Sequence, residues 1–170
     1  VKRLKSLLLL VACLLAMVGC GKPTVVEVHA DPPLAPTLGD LINASTFIVV
    51  GKIDKVKPSR MDEYDLYAIT ESEIKVDEVL KGPVAKGDTL TMRQPGGTVK
   101  GVKFEYKRVY YVQSGHKYLL FLKQWDDGTI AQTAYLQSQY ELHGNDEMIF
   151  LGAGTHRETF TVDTLRERLK

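Results

Sequence analysis

Cysteine is scarce: two in 170 residues, Cys13 and Cys20, both among the first twenty. Beyond position 20 no thiol remains, so the rest of the chain excludes a disulfide scaffold and a cysteine-rich metal site. Charge of one sign is equally lacking. The 22 Lys and Arg against 21 Asp and Glu leave a net +1, whereas a dedicated nucleic-acid binder usually carries a strongly basic face; no nucleic-acid partner is expected. The four histidines, His29, His116, His143 and His156, lack metal-ligand spacing and read as solvated loop side chains. No Gly-x-Ser-x-Gly elbow or His-Glu-x-x-His helix is present. Gly152-Ala153-Gly154-Thr155 lacks the Gly-Lys-Ser/Thr ending of a phosphate loop, and Gly96-Gly97 reads as a turn. Internal repeats are absent. The chain is therefore expected to be non-catalytic, with no cofactor and no metal.

What is there begins at the N-terminus. Lys2, Arg3 and Lys5 precede an apolar run from Leu7 to Val18, the charged and hydrophobic regions of an export signal. At ~1.5 Å per residue the run is about 18 Å long, too short for roughly 30 Å of bilayer hydrocarbon. It ends in Leu15-Ala16-Met17-Val18-Gly19-Cys20. Apolar residues leading to Gly-Cys resemble a bacterial lipobox, with Met17 in place of the usual leucine. The resemblance implies cleavage between Gly19 and Cys20 and a diacylglyceryl thioether on the Cys20 sulfur. Losing Lys2, Arg3 and Lys5 from the 22 cations leaves 19 against 21 anions, so the acyl chains rather than net charge are expected to hold the membrane.

Residues 21–36 contain Pro23, Pro32, Pro33 and Pro36 and read as a tether spanning ~20–25 Å as a flexible chain. Val25-Val26-Glu27-Val28 within it has the character of an edge strand. Thr37 caps a short helix with Leu38, Leu41 and Ile42 on one face. Phe47–Val56 is a β-branched strand. Alternation then runs from Leu66 to Val76, predicting a long, bulged strand with Leu66, Ala68, Thr70, Ser72, Ile74 and Val76 on one face. Thr89–Gln94 is a third strand, and Val102–Val112 is extended. Tyr118–Leu122 reads as a strand buried on both faces. Asp126-Asp127-Gly128 turns into Thr129–Leu136, and Gly144-Asn145-Asp146 joins two further strands. Phe160, Leu165 and Leu169 resume helical spacing after a Thr161 cap. Many short strands with turn punctuation point to an all-β barrel or sandwich with small terminal helices.

Three landmarks sharpen this expectation. Ala44-Ser45-Thr46-Phe47-Ile48-Val49-Val50-Gly51-Lys52-Ile53, Ile74–Gly82 and Ser114-Gly115-His116-Lys117-Tyr118-Leu119-Leu120-Phe121, in that order, resemble the netrin-like modules and their relatives, the tissue inhibitors of metalloproteinases. They also resemble bacterial lipoproteins with the same landmarks. The resemblance implies an OB-fold-like barrel of five to seven strands with short N- and C-terminal helices. It implies a binding role and nothing finer, because the Cys-x-Cys and disulfides of the inhibitors are missing. The expected organisation is a signal peptide over 1–19, lipidated Cys20 and tether over 20–36, a barrel over 37–156 and a C-terminal helix over 157–170.

One segment stands out as a contact surface. Between Lys100 and Tyr111 cations and aromatics interleave. In a strand, Lys103, Glu105 and Lys107 share one face, and Val102, Phe104 and Tyr106 the other. Lys103, Tyr106, Lys107, Arg108, Tyr110 and Tyr111 are the candidate partner contacts, since aromatic faces beside cations suit sugars, anionic polymers or peptide edges. The rival reading makes the aromatics core and the cations merely wet. The sequence thus predicts a lipid-anchored binding or assembly module on the extracytoplasmic face of a bacterial cell membrane. Its partner would be an envelope protein or an anionic wall polymer. The alternative is an envelope hydrolase using the acidic pairs Asp62-Glu63, Asp77-Glu78, Asp126-Asp127 and Asp146-Glu147.

Overall fold

The computed structural model describes residues 24–28, 35, 37–107, 109–134, 137–144, 147–150 and 160–170. Eleven strands and two helices follow one another among them: β1 (Thr24–Val28), α1 (Leu38–Ala44), β2 (Phe47–Val56), β3 (Arg60–Met61), β4 (Ala68–Lys81), β5 (Thr89–Pro95), β6 (Gly97–Val99), β7 (Val102–Tyr106), β8 (Lys117–Gln124), β9 (Ile130–Gln132), β10 (Gln139–His143), β11 (Glu147–Phe150) and α2 (Val162–Arg168).

Five strands close on themselves. β2 pairs β4, β4 pairs β5, β5 pairs β9 in parallel, β9 pairs β8, and β8 returns to β2. Numbered along the chain, the ring runs 1-2-3-5-4-1. This is an all-β, OB-fold-like barrel, as the strand punctuation predicts. β10 and β11 extend the sheet beyond β8.

Alternation along β2 and β8 divides the core in two. Phe47, Val49, Ile53, Tyr118, Leu120 and Leu122 fill the barrel with Ile74, Val76 and Met92. Ile48, Val50, Leu119 and Phe121 face the other way, under Leu38 and Leu41 of α1 and Val162 and Leu165 of α2. Both faces are covered, which is why both strands read as unbroken apolar runs. The helices are held where the sequence places their caps. Thr37 and Asp40 form a reciprocal capping box, and Thr161 and Thr164 form another. Arg166 of α2 reaches Glu78 of β4 through two bonds of 2.6 Å.

The barrel is not wholly apolar. Gln94 Nε2 donates to Gln132 Oε1 at 3.3 Å, and Gln132 Nε2 to Gln139 Oε1 at 2.5 Å, all three side chains being buried. The same Gln94 amide donates to the Tyr110 carbonyl at 3.1 Å. This chain of amides pairs buried side chains that no local pattern announces, and it ends at Gln139 Nε2, which has no hydrogen-bond partner among the described residues.

A second sheet leaves the barrel at Gly96-Gly97. There Thr70 Oγ1 donates to the Gly96 carbonyl at 2.7 Å, and a Cβ on Gly97 would fall 2.0 Å from Ser59 Oγ. Both glycines have positive φ, 97° and 128°, so the chain turns sharply from β5 into β6. β6 pairs antiparallel with β7, and β7 pairs in parallel with β1. Thr24–Val28 is therefore an edge strand and not tether, the outcome its β-branched run allowed. Three other boundaries also differ: of the segment predicted over Thr129–Leu136, the strand covers only Ile130–Gln132. The alternation of Leu66 and Tyr67 does not continue β4, which starts at Ala68, and the extended segment after Val102 is a strand only to Tyr106. The signal segment, Gly19 and Cys20 lie outside the described residues. Among the described residues, no helix is long and apolar enough to cross a membrane.

Candidate functional site

The segment proposed from sequence is split by the fold. Lys103 and Tyr106 lie on β7, Lys107 follows directly, and Tyr110 and Tyr111 belong to the loop beyond; Arg108 lies outside the described residues. The register puts Lys103, Glu105, Val25 and Glu27 on one face of the small sheet, and Phe104, Tyr106, Val26 and Val28 on the other. Two of its described cations, Lys103 and Lys107, are paired with carboxylates. Lys103 Nζ bridges Glu105 at 3.1 Å, and Lys107 Nζ bridges Glu27 at 3.2 Å. Tyr111 is half-buried against Gly96, while Tyr110, pinned at its carbonyl by Gln94, leaves its ring exposed.

Beside Tyr106 lies a feature the sequence reading missed. The β3–β4 turn carries Tyr64, 72% exposed, and Leu66, 73% exposed, followed by exposed Tyr67. The turn is tied down despite its exposure. Asp62 Oδ1 accepts from the Leu66 N–H at 2.6 Å and from the Tyr67 N–H at 3.0 Å, and the Asp62 N–H donates to the Tyr67 carbonyl at 2.9 Å. Burial, with Tyr67 and Asp62 nearby, pushes the Tyr106 phenol above its ordinary value. The turn thus approaches the end of β7 through Tyr67 and Asp62, near Tyr106, and carries Tyr64 and Leu66 exposed among Asp62, Glu63 and Asp65. The signal available in the sequence was Asp62-Glu63-Tyr64-Asp65-Leu66-Tyr67, in which acids and large apolar groups alternate next to an Asp able to close a turn.

A separate cleft of about 270 Å³ opens over the outer face of β4 and β5, lined by Glu71, Thr91, Arg93, Asp127, Gly128, Thr129 and Ile130. Its carboxylates are committed. Arg60 hydrogen-bonds Glu71 at 2.9 Å and, with Lys57 and Arg93, holds that carboxyl below its ordinary value. The Thr129 N–H and hydroxyl do the same for Asp127. Of the other acidic pairs, Asp62 serves the turn and Glu78 serves Arg166; Asp146 and the Glu147 side chain are outside the description.

The histidines are not all isolated. His116 Nδ1 contacts Glu141 Oε1, and His143 Nε2 lies 3.1 Å from the same oxygen. Two imidazoles 27 positions apart therefore share one nearly buried carboxylate, brought together by the β8–β10 pairing, while both rings stay about half exposed beside turns. Among the described residues, no group of three or more His, Cys, Asp or Glu side chains is arranged to hold a metal ion.

Compared with models of protein families, with curated proteins and with solved structures, the chain matches none.

Proposed function

We propose that this chain is a lipid-anchored, non-catalytic binding module of a bacterial cell envelope, held through Cys20 and contacting an envelope protein through the Tyr64–Tyr67 turn and the neighbouring Tyr106. The observation that carries the reading is the pair of nearly three-quarters exposed side chains, Tyr64 and Leu66, on a turn fixed by the Asp62 carboxylate. Large apolar groups held out in water on an ordered turn are costly to hydrate and gain by meeting a partner. Asp62, Glu63 and Asp65 beside them, and the bridged state of Lys103 and Lys107, favour a protein with apolar and basic groups over an anionic wall polymer. A netrin-like origin of the barrel belongs to the same reading and rests on the sequence landmarks.

The hydrolase alternative draws no support from the cleft. A glycosidase pair needs one carboxyl that stays protonated, whereas Glu71 and Asp127 are both held in the ionised form.

Two experiments test the reading. A fatty-acid probe fed to producing cells should label the wild-type chain and not Cys20→Ala; an unlabelled wild type contradicts the anchor. Tyr64→Ala combined with Leu66→Ala should abolish recovery of the cross-linked partner while leaving the unfolding midpoint in place. Unchanged recovery removes the turn from the contact.

A further inference from the structure

The lipid on Cys20, if the reading above holds, is not separated from the domain by sixteen residues. β1 begins at Thr24, so only Gly21, Lys22 and Pro23 intervene, and even a fully extended link from Cys20 to Thr24 spans at most about 14 Å. The anchor is therefore tied to a strand of the folded protein. Which part of the surface that strand brings to the bilayer follows from the register.

Thr24 stands beside Val102, the first residue of β7. Immediately before Val102, Lys100 and Gly101 form the two-residue turn that joins β6 to β7, closed by the Val99–Val102 pair. Their φ values of 50° and 79° are those of a primed hairpin turn, whose twist matches the flanking strands. Lys100 is exposed at this tip. Further along β1, opposite Lys103 and Phe104, Val25 and Val26 are 50% and 39% exposed, and as consecutive strand residues they face opposite sides of the sheet. Apolar side chains and a lysine on a long apolar stem, within a four-residue link of an acylated residue, are what the headgroup–acyl boundary of a membrane accommodates. The Tyr64–Tyr67 turn neighbours Tyr106, at the other end of β7, and stays clear.

We infer that the domain is seated on its membrane by one end of the small sheet, with the Lys100–Gly101 tip and Thr24–Val26 in the phospholipid headgroup layer. Orientation is then built into the fold: the β6–β7 tip faces the bilayer, and the aromatic turn is carried up β7 toward a partner.

The test uses the acylated full chain in vesicles of phosphatidylethanolamine and phosphatidylglycerol containing a headgroup-nitroxide phospholipid. Since the proposed processing removes Cys13 and converts the Cys20 thiol to a thioether, a single introduced cysteine takes a fluorophore cleanly. One variant is Lys100→Cys. The other is Lys86→Cys, in the β4–β5 connection, beyond the Lys75–Thr89 end of a ladder whose opposite end, Ile69–Pro95, adjoins the small sheet. The label at position 100 should be quenched severalfold more strongly than the label at 86. Equal quenching in protein that carries the fatty-acid label overturns the seating alone and leaves the anchor standing. Protein without fatty-acid label overturns the lipoprotein reading and this inference with it. Strong label-to-label energy transfer at position 100 without lipid quenching means that a second copy covers β1, which also overturns it.

Discussion

Between Tyr118 and Leu122 every residue is fully buried, whereas every residue of β7 is half-exposed and β1 is exposed along nearly its whole length. The two regions belong to one chain but are stabilised differently. The barrel has an inner core and an outer core, with helices over the second, so β2 and β8 lose water from both faces. The small sheet is a single layer, joined to the barrel at two left-handed glycines and completed by a parallel strand from 78 positions earlier in register. The difference teaches where to look for function. Burial makes the barrel a scaffold; the membrane surface proposed above belongs to the small sheet, and the contact turn, between β3 and β4 of the barrel sheet, adjoins that sheet near Tyr106.

The comparison breaks most easily in the barrel. Leu120→Ala empties the inner core, and Phe121→Ala removes a ring packed edge-on to Tyr140 and Phe160 at 6.1 and 6.4 Å. Each should lower unfolding free energy by about 3–5 kcal/mol in a urea titration. Values near zero for both would refute the two-core description. Next comes the junction: Gly97→Ala should cost about 2–4 kcal/mol, because positive φ and a Cβ 2.0 Å from Ser59 Oγ are both penalised. A neutral result would mean that β5 and β6 do not turn there.

Smaller effects come from charge. Arg166→Ala loses the paired bonds to Glu78 and should cost about 0.5–1 kcal/mol, since both side chains are one-third exposed. Glu71 contributes with a definite sign. Its folded carboxyl lies below the ordinary 4.5 because Arg60 hydrogen-bonds the anion. Its stabilisation is fully present above that value and is lost as pH falls through the lowered folded one. Glu71→Gln should therefore flatten the acid limb of stability against pH and leave neutral pH little changed. An unaltered acid limb would show that the Lys57, Arg60, Arg93 cluster does not act on it.

Legibility follows the same division. The runs Phe47–Val50 and Tyr118–Leu122, the Thr37 and Thr161 caps and the Asp126-Asp127-Gly128 turn are local signals, and each marks its element. The ring's closure is not among them, because it runs through the parallel β5–β9 pair, Met92 with Ile130. The β1–β7 pairing is parallel and long-range, so the β-branched run could suggest a strand but not its neighbour. Alternation extends a strand over Leu66 and Tyr67 because it cannot show that the Asp62 carboxylate captures their N–H groups. The Lys103–Lys107 face was readable as a face, while the Glu105 and Glu27 bridges that occupy it depend on β1 being in place. His116 and His143 meet on Glu141 only through strand pairing, which their spacing does not encode.

The smallest expected stability change lies at the surface of greatest interest. Tyr64→Ala with Leu66→Ala should stay within about 0.5 kcal/mol of wild type, as for exposed side chains without partners in the core. A loss of several kcal/mol would make the turn structural. The most direct test of the contact itself is site-specific photo-cross-linking in cells producing the full chain, with the reactive amino acid placed in turn at Tyr64, Leu66 and Lys86. The account predicts a discrete protein adduct from Tyr64 and Leu66 and none from Lys86. Adducts of equal yield at all three positions, or none at Tyr64 and Leu66, would contradict it.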